Sequence, residues 1–392
     1  MKKDLYGINK YYKRIVANHC PIVSPACILQ AFKMLATEDA HIVSPAPILQ
    51  AFKLLATENI PTAPVCTYDT SIESSNSYFT SSGAIITKII KGDKIEYQLV
   101  WGNTSSINKI KLNRPYIGDK DFIFLCGGGG GGAGGSGGVY TTKIPGAGGG
   151  GGGNGTPEFI SHTELLQTDI IYTIDVGLGG IGGLGGDGQD NSATSGTDGS
   201  YSSISINGRF IYAATFGSGG QVASILNSDF SSDFSSGGNG GNSSKFGELI
   251  NGGAGGSVAS QEGAHGEKFI NCTGGGGGGA SGNSSSQDGG NGGSGQDYAG
   301  GGGGGASYDS GSPGIGGSST YGGQGGNGSN GTNDSGNGLD PSSDPKGFGQ
   351  GGGGGGGGSI LTSSGKGGDG GNGGNGSVAM LFTFTMVCLS SN

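Results

Sequence analysis

Glycine written in a three-residue phase constrains this chain more than any other feature. Of its 96 glycines, 91 fall between residues 127 and 378. Two stretches, Gly179–Gly188 and Gly367–Gly376, keep a strict Gly-Gly-X spelling, and uninterrupted runs occupy 127–132, 274–279, 300–305 and 351–358. Fixing a glycine costs about 0.5–1 kcal/mol more than fixing an alanine, and a whole domain is stable by only about 5–15 kcal/mol. Such a region either stays unordered, as a glycine-serine linker does, or folds on a dense set of backbone hydrogen bonds.

A left-handed helix of the polyproline-II type offers that set. It has three residues per turn, rises about 3.1 Å per residue and makes no internal hydrogen bonds. Its N–H and C=O groups point sideways, so each needs a partner beside it. An interior rod needs glycine at all three positions of the turn. A peripheral rod needs it at two, leaving X to face outward. Both spellings are present, and the kept phase favours a bundle over a linker.

Composition excludes several classes. Charged residues are only 12% of the chain, and the glycine excess lacks the proline of collagen. Residues 1–126 carry a net charge of +4 and residues 127–392 one of −13, summing to −9. An acidic, arginine-poor glycine region is no nucleic-acid binder, because phosphate neutralisation needs Lys and Arg. The cysteines (Cys20, Cys27, Cys66, Cys126, Cys272, Cys388) form no CxxC pair and read as single thiols of a protein made under reducing conditions. The amino terminus shows no apolar signal-peptide core, and Val378–Leu389 is too short for a membrane span. Cytoplasmic synthesis is expected, with final residence left open.

The expected fold class is mainly β and irregular: short N-terminal helices, a small β-domain, then a glycine bundle bracketed by strands. Residues 1–62 contain a duplication of period 20, predicted as helices over 22–38 and 42–58. Ser24-Pro25 and Ser44-Pro45 supply an N-cap with proline at the first helical position. Ile28, Leu29, Phe32 and Leu35 share one face, as do Ile48, Leu49, Phe52 and Leu55, which marks them as packing or anchoring residues. Residues 63–126 alternate apolar and polar over Ala84–Ile90, Lys94–Trp101 and Asn108–Leu112, with Asp121–Cys126 as a final strand. The third unit, 127–392, ends in a strand that opens at Val378 and closes the region over 378–388. The two bracketing strands are expected to pair. Between them, short apolar stretches (170–176, 204–215, 246–250, 268–272, 360–361) punctuate the glycine.

No enzymatic chemistry emerges. GxGxxG matches carry no meaning in a glycine tract without a strand-helix context, and Gly365-Lys366-Gly367 lacks the rest of a phosphate-binding loop. Two fragments, 185–190 and 292–297, match the calcium-binding GGxGxD spelling, which works only in tandem stacks. His19, His41, His162 and His265 stand alone, without ligands at metal spacing. No cofactor or metal is expected.

The order of motifs resembles a known class. Phe122-Ile123-Phe124-Leu125-Cys126 runs straight into glycine. Ile171-Tyr172-Thr173-Ile174-Asp175-Val176 does the same, and Gly367–Gly376 leads into the closing strand. Over roughly 115–388 this resembles the glycine-rich domains of phage and virus tail-fibre proteins, and is similar in architecture to the polyglycine-II tip adhesins of T-even-like phages. The resemblance implies a polyglycine-II bundle whose loops bind a host surface receptor or glycan. The loop aromatics Tyr201, Phe230, Phe234, Tyr298, Tyr308, Tyr321 and Phe348 are the contacts it suggests, with edge-covering as their plainer role. This chain departs from that pattern in its longer, serine-rich loops and in the duplicated helices, which read as an attachment module. The expectation is a non-enzymatic, homo-oligomeric viral fibre or adhesin on a virion surface, joined to other virion subunits through the N-terminal region. The alternative is a self-assembling extracellular filament or coat subunit. An ice-binding protein is a third reading, against which the irregular loops count.

Overall fold

The computed structural model describes residues 78–91, 94–102, 108–117, 121–139, 144–161, 166–187, 192–225, 235–245, 248–269, 272–282, 287–295, 297–307, 311–329, 335–341, 349–359 and 365–385. These are strands and irregular segments with no helix among them. The expected helices over 22–38 and 42–58, with all their apolar residues, lie outside the described residues.

Two antiparallel five-stranded sheets face each other. One has the order β1 (Phe79–Ser82), β4 (Asn108–Leu112), β7 (Ile171–Asp175), β8 (Ser202–Ile206), β9 (Arg209–Ala214). The other runs β2 (Ile85–Lys91), β3 (Lys94–Trp101), β16 (Ser377–Thr385), β5 (Phe122–Cys126), β6 (Pro157–Ser161). Alternation decides what lies between them. Ile95, Tyr97, Leu99 and Trp101 of β3 and Val378, Met380, Phe382 and Phe384 of β16 point to one buried side. There they meet Ile110, Leu112, Tyr172, Ile174 and Ile204 of the opposite sheet. Phe79 sets its ring edge-on to Tyr97 at 5.0 Å, and the Trp101 indole donates to the Ser82 carbonyl at 2.9 Å, tying the sheets together.

The bracketing strands do pair: β16 lies between β3 and β5, with Ser377 opposite Cys126 and Val378 opposite Leu125. The β-module does not stop at 126, however. Strands from 79–126, 157–214 and 377–385 all contribute, so the apolar stretches 170–176 and 204–215 complete a sandwich rather than punctuate glycine. Smaller pairs turn the chain elsewhere: β10 (Ser224–Ile225) with β11 (Ser235–Ser236), β12 (Ser243–Lys245) with β13 (Glu248–Ile250), and β14 (Lys268–Phe269) with β15 (Cys272–Thr273).

The glycine segments leave the sandwich as extended rods that hydrogen-bond sideways with a period of three. Rod 127–138 shows the rule. Its amides 128, 131 and 134 donate to carbonyls 200, 197 and 194. Amides 129, 132 and 135 donate to 374, 371 and 368, and amides 130, 133 and 136 to 153, 150 and 147. Its carbonyls repeat the rotation, accepting from 217 and 220, from 180, 183 and 186, and from 352, 355 and 358. Each third of a turn thus faces a different neighbour, and neighbours surround the rod on every side. Rods 145–156, 274–282, 299–307 and 349–359 are enclosed in the same way, and all five are buried along their length. Around them the remaining rods bond one to the next in a closed ring. The ring runs 177–187, 192–200, 215–223, 237–242, 251–258, 260–267, 287–295, 311–319, 322–329, 335–341, 365–376 and back to 177–187.

Glycine is required here by contact. A Cβ on Gly152 would overlap the Gly130 carbonyl, and one on Gly303 would overlap that of Gly355. Bulk enters the enclosed rods at Ala133, Ser136, Ala147, Ala280, Ser281, Ala306, Ser307 and Ser359, and at the sandwich end at Asn154, Thr156, Ala299 and Gln350.

Candidate functional site

The surface of the bundle is built from the X positions of the outer rods, and their chemistry follows from an accounting of amides. An outer rod lacks neighbours on its solvent side, so part of its N–H groups, two thirds of them on rod 177–187, face no carbonyl. Side-chain oxygens of the adjoining rods supply the missing acceptors. On rod 177–187, amides 180, 183 and 186 donate inward to carbonyls 129, 132 and 135 at 2.7–2.9 Å. Leu178, Ile181 and Leu184 donate to the hydroxyls of Ser200, Thr197 and Thr194 at 2.7, 2.7 and 2.8 Å. Gly179, Gly182 and Gly185 donate to the side chains of Asn375, Asn372 and Asp369 at 2.9, 3.0 and 2.8 Å.

The device recurs around the ring. Asp198 accepts from Gly219, Asn239 from Gly255, Asn242 from Gly252, Asn291 from Ile315, Asn327 from Gly316, and Asp340 from Asn372. This explains why X is so often Asn, Asp, Ser or Thr. It also shows where X is free. Rod 177–187 is capped from both flanks, so its apolar X side chains owe nothing to the lattice.

Those free positions are Leu178, Ile181 and Leu184, which are 53%, 67% and 64% exposed and sit one turn, about 9 Å, apart. They form an apolar crest with a polar column on each side. Two further apolar surfaces lie on the sandwich. Edge strand β2 exposes Ile85, Ile86 and Ile90, and edge strand β9 exposes Phe210 and Ile211. The sequence reading missed the crest; three aliphatic X residues in successive Gly-Gly-X turns were the available signal.

Three of the expected contact aromatics, Tyr201, Tyr298 and Tyr321, fall among the described residues. Tyr201 is exposed and stands edge-on to Phe216 at 4.8 Å. Tyr298 is buried beneath Tyr321, with rings 5.1 Å apart and 14° from parallel, so it covers the rod ends rather than being displayed. Burial, then Tyr321, then Asp297 push its hydroxyl well above the ordinary range. Phe230, Phe234, Tyr308 and Phe348 lie outside the described residues, as do the eight anchoring positions from Ile28 to Leu55.

Among the described residues no group of His, Cys, Asp or Glu could hold a metal ion. Of the two calcium-like fragments, Asp297 is paired with Lys268 at 2.6 Å. Cys126 is buried, its thiol directed at the Gly127 carbonyl at 3.6 Å. No helix among the described residues is long and apolar enough to cross a membrane.

No protein-family model matches the chain, and no curated protein is similar to it.

Proposed function

We propose that the glycine rods are polyglycine-II helices and that the chain is a non-enzymatic fibre or adhesin of a virion or comparable extracellular assembly. The three-residue hydrogen-bond rotation supports the first part, as does the rarity of positive φ. Of the rod glycines only Gly349 has a positive φ.

One observation carries the second part. Successive rods alternate in direction, so that their far ends meet on the side away from the sandwich. Gly138 donates to Gly365, Gly146 to Gly358, Gly282 to Ala306, Ser307 to Ser329 and Ser329 to Gly357. Every second connection between rods therefore falls at one tip of a stiff body whose other end is a sandwich. That is the form of a display scaffold, with the tip for recognition of a host receptor or glycan. Attachment to other subunits falls to the N-terminal segment, outside the described residues.

The exposed crest and the edge isoleucines favour a second reading, a filament or coat subunit whose lateral surfaces join copies. Electron microscopy of the purified chain separates the two. Isolated short bodies that bind host cells after deletion of 22–60 support display. Fibres that form unaided, and vanish with the same deletion, support the filament.

A further inference from the structure

The sequence is rich in Asn-Gly, the dipeptide most prone to spontaneous deamidation, and the structure sorts the described pairs into two kinds. In that reaction the glycine nitrogen attacks the asparagine Cγ. The new C–N bond closes a succinimide ring and ammonia leaves. Water then opens the ring to aspartate or isoaspartate. The glycine N–H must be free to lose its proton, and the side chain must be free to swing onto it.

In the rods neither condition holds. Gly373 donates its N–H to Gly180 at 2.7 Å while the Asn372 oxygen accepts from Gly182 at 3.0 Å. Gly292 donates to Ile315 at 2.8 Å, and the Asn291 oxygen accepts from the same residue's N–H at 2.9 Å. Gly376, following Asn375, donates to Gly177, and Gly240, following Asn239, donates to Gly253. In each pair nucleophile and electrophile are both held by the neighbouring rod.

Asn207-Gly208 differs on every count. It forms the two-residue turn between β8 and β9, with φ of 49° and 78°, as a type I′ hairpin requires. Both residues are exposed, nothing lies within 4 Å of the Cβ position of Gly208, and no described group holds either reacting atom. From these contrasts we infer that Asn207 is a spontaneous deamidation site of the folded protein, while the Asn-Gly pairs of the rods are kept as amides by the lattice. Isoaspartate at 207 lengthens the backbone by one methylene within the turn that sets the β8–β9 register, so the change is delivered to the exposed edge strand bearing Phe210 and Ile211.

The test is peptide mapping by mass spectrometry of the full chain held at pH 8 and 37 °C, natively and in urea. Expected is a one-dalton gain at Asn207 in native protein at a rate within about tenfold of the urea sample. The pairs at 239, 291, 372 and 375 should react at least about a hundredfold more slowly than in urea, since reaction there waits on local opening. An N207D variant should abolish the native signal and fold normally. Native protection of Asn207 equal to that of the rod pairs overturns the assignment. Rod pairs reacting as fast as in urea overturn both this inference and the polyglycine reading, so the two failures are told apart.

Discussion

At the scale of one residue, the lattice asks what a methyl group would strike. Gly303 lies in an enclosed rod where an added Cβ meets the Gly355 carbonyl, and the backbone is bonded on both sides. Gly303→Ala should therefore cost at least the top of the about 1–3 kcal/mol range for overpacking, read by denaturant unfolding. Leu184→Ala, on the open crest, should stay within about 0.5 kcal/mol. The X side chains act through one oxygen: Asn372→Ala strands the Gly182 amide and should lose about 1 kcal/mol. Asn372→Asp should be nearly neutral, because Asp369 already fills the same role one turn away. Two tyrosines tie stability to alkaline pH. Burial, with Asp121 second, raises Tyr116 to about 12, and Tyr298 is raised further by burial beside Tyr321. A folded value above the unfolded 10 means the contribution is whole below pH 10 and lost as pH climbs beyond it. Absorbance titration should show these hydroxyls ionising only with unfolding above that pH.

At the scale of the element, the closing strand is the structural keystone. β16 lies between β3 and β5 and buries Val378, Met380, Phe382 and Phe384. Phe382→Ala should cost about 3–5 kcal/mol, measured by thermal or denaturant unfolding. Strands with strong apolar alternation were legible in the sequence. Asn108–Leu112 and Lys94–Trp101 fall where alternation places them, and the closing strand begins one residue before Val378. The rods were legible too, since the difference between all-glycine and Gly-Gly-X runs is the difference between enclosed and outer positions. What could not be read were strands β1, β6 and β8. β8 is Ser-Ser-Ile-Ser-Ile, whose single core residue Ile204 gives too weak a period to announce a strand, and β1 and β6 are short and mixed. Their places depend on pairing across long stretches of chain, a tertiary fact that local propensity does not carry. The crest was overlooked for the opposite reason: its residues are plain in sequence, but their freedom from capping duty appears only when the neighbouring rods are in place.

At the scale of the whole molecule, a β-sandwich with an ordinary apolar core carries a body that has almost none. The first is held by burial and the second by amides that satisfy one another sideways. The junction is direct, since β5, β7 and β16 each continue into a rod without a linker. Residue-resolved amide hydrogen exchange tests this division most directly. The account predicts the slowest exchange at enclosed amides such as Gly152 and Gly303, intermediate protection at side-chain-capped amides such as Gly182, and all of them far slower than in an unstructured peptide. Exchange across 127–376 at the rate of a free glycine peptide, with protection confined to the sandwich, would contradict it.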